Sequence, residues 1–325
     1  MRTPLFAAFV PVLSLCAFGQ AARPAAAPAA AAPAAPAAAA TPFQTPALLI
    51  NSDGTFEKAW LVAATKASIR FRETEVAVDT RDARVADYSA IFLYEPREFS
   101  TAMDLYQGRK YQEAKTAFAA VKERYKSLSA LEDNHSTLSA FYEMECMRRL
   151  GDLDGLAAAL QKFIKEPLIR ETQLRQIELY VLWDAVRSKS WDRLDILCRE
   201  REKAKLPGDQ RAQVEYCHGL ALEGLGRPAE ALVAFSTAMT ADAGASEEIA
   251  RLAALRVLAI HKANPEVQTA IKVWGTADEN KNSKGYSDLL EAASVAELFE
   301  LSLGAGTPLP SDLKVFLKYK AKEGA

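Results

Sequence analysis

The sequence of 325 residues contains few of the residues that metal centres and disulfide scaffolds require. It has four cysteines and three histidines, and no two cysteines form a C-x-x-C pair. Because a disulfide framework needs paired cysteines at characteristic spacings, none is indicated. A zinc site is not predicted either. We interpret Cys146, Cys198 and Cys217 as small thiols buried in helices.

An excess of charge of one sign is also lacking. The chain carries 40 basic and 42 acidic residues, which gives a formal net charge of -2. Nucleic-acid and membrane-surface binding usually depend on a cluster of positive charge, so neither partner is predicted. Beyond the N-terminal segment no stretch is apolar enough for a transmembrane helix.

The recognised catalytic motifs are absent. The sequence contains no G-x-S-x-G, H-E-x-x-H, Walker A or G-x-G-x-x-G pattern. Cys217 and His218 are neighbours on a predicted helix, so their side chains diverge and form no nucleophile–base pair. Glu143, Glu145 and the mixed run 199–203 are interpreted as charges on solvated helix faces. We therefore predict a protein that is not an enzyme and needs no cofactor or metal.

The first 19 residues resemble a secretory signal peptide. Arg2 precedes a short apolar run, and Ala17-Phe18-Gly19 supplies small residues before a predicted cleavage at Gln20. The alternatives are an uncleaved N-terminal membrane anchor and lipidation of Cys16, although Leu15 stands where a lipobox has a small residue. The prediction is an exported protein of the periplasm or cell envelope.

Residues 20–46 are almost entirely alanine and proline. Repeated prolines prevent a continuous alanine helix, and the composition is typical of a disordered linker. We expect this segment to separate the export signal from the folded part.

Short apolar runs joined by turn signals follow at residues 47–94. The predicted strands are Ala47–Ile50, Phe56–Ala64, Ala67–Arg72, Val76–Val78 and Ser89–Tyr94, with turns at 51–54 and 80–82. They indicate a small antiparallel β module, which resembles SH3-like or Sm-like barrels. Its two alternative roles are a cap on the helices that follow and a docking surface.

From residue 95 onward the pattern is helical and repeats itself. Tyr111, Leu153, Trp191, Pro228 and Val267 stand at equivalent positions, separated by 42, 38, 37 and 39 residues. Small residues such as Gly219, Ala231 and Ala238 predict close helix approach, and breakers such as Gly151, Pro207 and Gly226 fall between helices.

These units resemble the tetratricopeptide-repeat (TPR) family, whose repeat of about 34 residues is a helical hairpin. The best copy spans 211–241, with Gly219, Ala231, Phe235 and Ala238 on the family pattern. The last pair, 287–303 and 311–320, has only periodicity to support it. The predicted fold is mainly α, a right-handed TPR-like solenoid of about six hairpins over 95–325 after the small antiparallel β domain.

The resemblance implies that the first helix of each hairpin lines a concave groove for a peptide or protein. The positions carried over are Phe99, Met103, Tyr106, Phe141, Glu145, Arg148, Leu179, Trp183, Tyr216, Leu220 and Glu223. The alternative is that these aromatic residues pack the interior. No paired Lys/Arg cluster that would clamp a C-terminal carboxylate is predicted.

The functional expectation is an exported scaffold or adaptor that binds a protein partner through the repeats. The alternative is a structural subunit of a cell-envelope assembly, of the outer-membrane or Tol type, which docks through the β module or the convex face. The sequence determines neither the partner nor the oligomeric state.

Overall fold

The computed structural model describes residues 43–304 and 306–319. These residues are mainly helical, about 60%, with eleven α-helices and a five-stranded antiparallel sheet at the N-terminal side. The predicted signal peptide, Cys16 and most of the predicted linker lie outside the described residues. None of the helices in the described ranges is long and apolar enough to cross a membrane.

The strands form one sheet in the order β4-β3-β2-β1-β5. They are β1 (Thr45–Asn51), β2 (Phe56–Ala64), β3 (Ser68–Arg72), β4 (Arg81–Arg84) and β5 (Tyr88–Leu93). The predicted Asp-Gly turn joins β1 to β2. Gly54 adopts a positive φ of 84° there, and the Asp53 carboxylate accepts a hydrogen bond from the Thr55 N–H at 2.9 Å.

Three details of the N-terminal part differ from the sequence prediction. The linker was predicted to end at Pro46, but β1 begins at Thr45, and the Phe43 ring packs edge-on against Tyr125 at 5.2 Å. Residues 76–78 are not a strand, and Val76 and Val78 are almost fully exposed. The fourth strand is instead Arg81–Arg84, an edge strand in which only Ala83 packs against the core of the sheet, so its sequence shows no apolar alternation.

The helices follow one another as hairpins. They are α1 (Arg97–Gln107), α2 (Tyr111–Arg124), α3 (His135–Leu150), α4 (Leu153–Leu160), α5 (Glu171–Arg187), α6 (Trp191–Glu202), α7 (Gly208–Gly224), α8 (Pro228–Ala241), α9 (Glu247–Ala263), α10 (Pro265–Val273) and α11 (Lys284–Leu298). The helix boundaries have local causes. The Asn134 side chain caps α3 by accepting from the Thr137 N–H at 2.8 Å, and Pro228 and Pro265 occupy the first positions of α8 and α10.

The C-terminal pair is not a full helical hairpin. Helix α11 continues into a π-helical turn at Phe299–Leu303, and the predicted helix 311–320 is a short 3₁₀ turn, Lys314–Lys318. Pro308 and Pro310 stand just before this segment, and proline disfavours the α conformation in the residue that precedes it.

Apolar burial joins the sheet to the helices. The inner face of the sheet, including Leu49 and Leu61, packs on Leu128 and Leu131 from the segment after α2. The Ser127 hydroxyl donates to the Val62 carbonyl at 2.9 Å. From Phe43 onward the chain is therefore one compact unit.

Candidate functional site

The residues predicted to line a groove lie on α1, α3, α5 and α7, the first helices of their hairpins. Most of them are interior residues. The side chains less than a tenth exposed are Phe99, Phe141, Glu145, Arg148, Leu179, Trp183, Tyr216 and Leu220. Met103, Tyr106 and Glu223 are partly exposed. The apolar ones pack in two separate clusters, Phe99 and Phe141 in one and Leu179, Trp183, Tyr216 and Leu220 in the other.

Two of these buried residues, Glu145 and Arg148, belong to an ion-pair network, which we call the closure network. It consists of Glu145, Arg148 and Arg149 of α3, Tyr180 of α5 and Glu248 of α9. Glu145 was predicted to lie on a solvated face, and this was wrong, because its carboxylate accepts from Arg148 Nε at 3.1 Å and from the Tyr180 hydroxyl at 2.7 Å. The Arg148 and Glu145 side chains are only 2% and 7% exposed.

The closure network joins helices that are far apart in sequence. Arg148 Nη2 donates to Glu248 Oε1 at 3.1 Å, and Arg149 Nη1 donates to Glu248 Oε2 at 2.7 Å. Both arginines stand in the last turn of α3, and Glu248 stands in the first turn of α9. The arginines lie at the negative end of the α3 dipole, and Glu248 lies at the positive end of the α9 dipole. These placements stabilise both helices in addition to the ion pairs.

The pKa shifts within the network keep its charges in place. Burial alone would raise the pKa of the Glu145 carboxyl, but the Arg148 and Arg149 charges outweigh burial, and the pKa falls below its ordinary value. Burial disfavours the charged form of Arg148, yet Glu145 and Glu248 raise the pKa of its guanidinium. Both groups therefore remain charged near neutral pH, so we interpret the network as structural.

An aromatic and amide layer continues the packing from the network into α5 and α7. The Arg148 guanidinium lies over the Trp183 ring, 5.6 Å from its centroid. Trp183 Nε1 donates to Gln213 Oε1 at 3.1 Å, and the Gln176 and Gln213 amides bond each other reciprocally at 2.9 Å. These polar groups thus find their partners within the chain.

A cavity of about 610 Å³, here called the closure cavity, lies beside the network. Its walls include Tyr106, Tyr111, Arg149, Glu247 and Arg251, from α1, α2, α3 and α9. Arg149 donates to the Tyr106 hydroxyl at 3.0 Å and to the Tyr111 hydroxyl at 3.2 Å. Of the predicted groove residues, only Tyr106 lines this cavity.

The sequence analysis missed Arg149, Glu248 and Arg251. The signal was weak, because the doublets Arg148-Arg149 and Glu247-Glu248 are complementary in charge but stand about a hundred residues apart. No local spacing rule relates positions at that separation.

A second candidate surface is the solvent side of the sheet. We call it the outer sheet face, formed by Leu48, Ile50, Phe56, Lys58, Trp60, Phe92 and Tyr94. Strand register places Leu48 between Lys58 and Phe92, and Ile50 opposite Phe56. Phe56 is 71% exposed, Phe92 56% and Tyr94 40%. Such a concentration of exposed aromatic side chains is unusual away from binding surfaces.

The strand at one border of this surface is unprotected. β5 (YSAIFL) contains no charge and no proline, and among the described strands it pairs only with β1. The other edge strand, β4 (RDAR), carries three charged residues, and Arg70 of β3 pairs with its Asp82 at 2.9 Å. Because charged residues on an edge oppose pairing with another chain, β5 is the edge open to a partner strand.

Comparisons with protein-family models, curated proteins and solved structures find no match for this chain.

Proposed function

We propose that this chain is an exported, non-enzymatic subunit of a cell-envelope assembly, which docks a partner protein on the outer sheet face. The observation that supports this most is the exposure of Phe56, Phe92 and Tyr94 on one face of the sheet. Aromatic side chains are the residues most often responsible for affinity at protein interfaces. The unprotected edge of β5 adds backbone groups that an extended partner segment would pair with.

At the level of the fold, we propose that the hairpins are TPR-like repeats stacked in a right-handed solenoid. The second helices of four hairpins begin at the aligned positions Tyr111, Leu153, Trp191 and Pro228. Helix α10 begins two residues before the fifth, Val267. The small residue Gly219 lies against the Phe235 ring, where the family pattern has close helix contact.

The second candidate is an adaptor that binds its partner through the repeats. Its support is the closure cavity, whose tyrosines and arginines suit an extended peptide. We favour the sheet because most of the predicted groove residues are buried, whereas Phe56, Phe92 and Tyr94 are exposed.

Site-specific photo-crosslinking in the envelope fraction tests the two candidates against each other. A photo-crosslinking phenylalanine analogue would replace Phe92 on the sheet, Gln107 beside the closure cavity, or Val233. Val233 on α8 is the matched control, since it is apolar and 68% exposed. We expect a defined partner to be captured from position 92 and not from position 233.

The double variant Phe56→Ser/Phe92→Ser should lower recovery of that partner at least about tenfold, because a buried aromatic anchor is worth ~2 kcal/mol. Its folding would be checked by circular dichroism. Capture from position 107 alone would instead support the repeat adaptor. Equal capture from positions 92 and 233 would contradict docking on the outer sheet face.

A further inference from the structure

Three metal-ligating side chains converge where α6 ends against α7. Glu202 is the last residue of α6, and Glu215 and His218 stand one turn apart on the same side of α7. Their ligand atoms all lie within 4.8 Å of one another. His218 Nδ1 is 2.5 Å from Glu202 Oε1. The two helix segments thus direct one imidazole nitrogen and two carboxylates toward a common point.

The far side of the imidazole is held by a fourth residue. His218 Nε2 lies 2.9 Å from Asp195 Oδ1, and Asp195 also accepts from Arg199 Nε at 3.1 Å. The His218 and Asp195 side chains are 12% and 15% exposed. A carboxylate beside Nε2 favours the imidazole tautomer that is protonated at Nε2. The lone pair of Nδ1 then points toward Glu202 and Glu215. This carboxylate–histidine pairing is the usual support of a metal-bound histidine.

Glu215 lacks a compensating partner. Its carboxylate has no hydrogen bond or ion pair with any residue in the ranges 43–304 and 306–319. The Glu202 carboxylate lies close by, so two carboxylates face one imidazole nitrogen. A cation bound here would replace the direct contact between His218 Nδ1 and Glu202 Oε1 and would pair with both carboxylates and the imidazole.

His218 is also the histidine best placed for such a role. The other two, His135 and His261, are 6% and 0% exposed. Three arginines near the cluster oppose cation binding, since the Arg211 charge acts on Glu215, and Arg199 and Arg227 lie beside Asp195. These arginines lie near Asp195 and Glu215. Glu202 and Glu215 still supply the two negative charges that a divalent cation requires.

We propose that Glu202, Glu215 and His218 bind one divalent transition-metal cation, with Zn²⁺ as the best fit. One imidazole nitrogen and two carboxylate oxygens form a borderline N/O donor set, and solvent would complete a tetrahedral coordination. Bound metal would fasten the end of α6 to α7. The sequence analysis did not predict it, because Glu202 and Glu215 come from different helices and no spacing motif links them.

The test is calorimetric titration of ZnCl₂ into the full chain after removal of metals with a chelator. We expect one equivalent to bind, with the melting temperature rising as free Zn²⁺ increases. Glu202→Gln, at an exposed position, should weaken binding without loss of fold, and His218→Ala should abolish it. Asp195→Asn should weaken it ~10- to 100-fold through the imidazole. Glu200→Gln, an exposed glutamate on the same helix, is the matched control.

A second readout identifies the ligand atom. In ¹⁵N-histidine spectra, Zn²⁺ should shift the Nδ1 resonance of His218 and leave the signals of His135 and His261 unchanged. Failure to bind Zn²⁺, or unchanged affinity in both Glu202→Gln and His218→Ala, would overturn the proposal. Neither result would bear on docking by the outer sheet face, which involves a different part of the chain.

Discussion

At the residue scale, the identity of a side chain matters most where two helices approach closely. Gly219 of α7 faces the fully buried Phe235 ring of α8, and a Cβ at Gly219 would lie 2.5 Å from Phe235 Cε1. The sequence pattern predicted this close approach, because a small residue at that repeat position allows it. Packing at native density leaves the ring no room to move.

We expect Gly219→Ala to destabilise the protein. Overpacking lowers the free energy of unfolding by about 1–3 kcal/mol, whereas the higher helix propensity of alanine raises it by about 1 kcal/mol. Urea unfolding followed by circular dichroism measures the difference. Gly244→Ala is the control, since its Cβ would have its nearest neighbour 3.9 Å away. A Gly219 variant as stable as the control would contradict the packing argument.

The burial of Glu145 is a feature that the sequence did not predict. Its helical position was predicted correctly, but its surroundings were not. Its charge is paired with Arg148 of the same helix, but the Tyr180 hydroxyl that also bonds it lies 35 residues away. A charged side chain is buried only where other groups pair with it. A single sequence does not show which distant residues supply those groups.

At the element scale, helices were easier to predict than strands or contacts. Helix starts follow local chemistry, such as Pro228 at the first position of α8, so the repeat alignment located them within two residues. Strand β4 has no apolar pattern to reveal it, because it lies at an edge and pairs through its backbone. The contact of α3 with α9 has no local signal at all.

The α3–α9 contact should contribute strongly to stability. Removing one partner of a buried ion pair costs about 3–5 kcal/mol, because the other charge stays buried and unpaired. We therefore expect Arg148→Met to lower the free energy of unfolding by that order. Arg187→Met on α5 removes a pair with Asp184 in which both side chains are 37% exposed, and it should be far less destabilising, since solvent screens the pair.

A double variant gives the sharper comparison. Glu145→Gln combined with Arg148→Met should be less destabilising than the sum of the two single changes, since the two groups no longer leave each other unpaired. Urea midpoints of the four proteins measure this coupling. Strict additivity would show that Glu145 and Arg148 do not stabilise each other.

At the scale of the whole molecule, buried histidines make stability depend on pH. His261 is fully buried, and neither ring nitrogen has a hydrogen-bond partner among the described residues. Burial lowers the pKa of His261, against the opposing charge of Glu291, and burial lowers the pKa of His135 in the same way. The unfolded chain, with an ordinary pKa of about 6.5, therefore binds these protons more readily.

The free energy of unfolding should fall as the pH drops below about 6.5 and continue to fall through the folded-state pKa values. Each histidine contributes about 1.4 kcal/mol per unit of difference between its folded and unfolded pKa. Glu145, whose pKa is lowered, adds a loss in the same direction at more acidic pH. Urea midpoints at a series of pH values measure the slope, and His261→Gln should flatten it. An identical slope in that variant would exclude His261 as a cause.

The closure network also constrains how the chain could change length. In an open array each hairpin touches only its neighbours, so whole units are gained or lost with little effect on the others. Here Arg148 and Arg149 of α3 must meet Glu248 of α9, three hairpins further along the chain. Inserting or deleting one hairpin between them would carry Glu248 out of reach and leave two guanidinium groups with the single counter-charge of Glu145. The number of hairpins between α3 and α9 is thus fixed by these salt bridges, and we expect variation in repeat number to fall outside that segment.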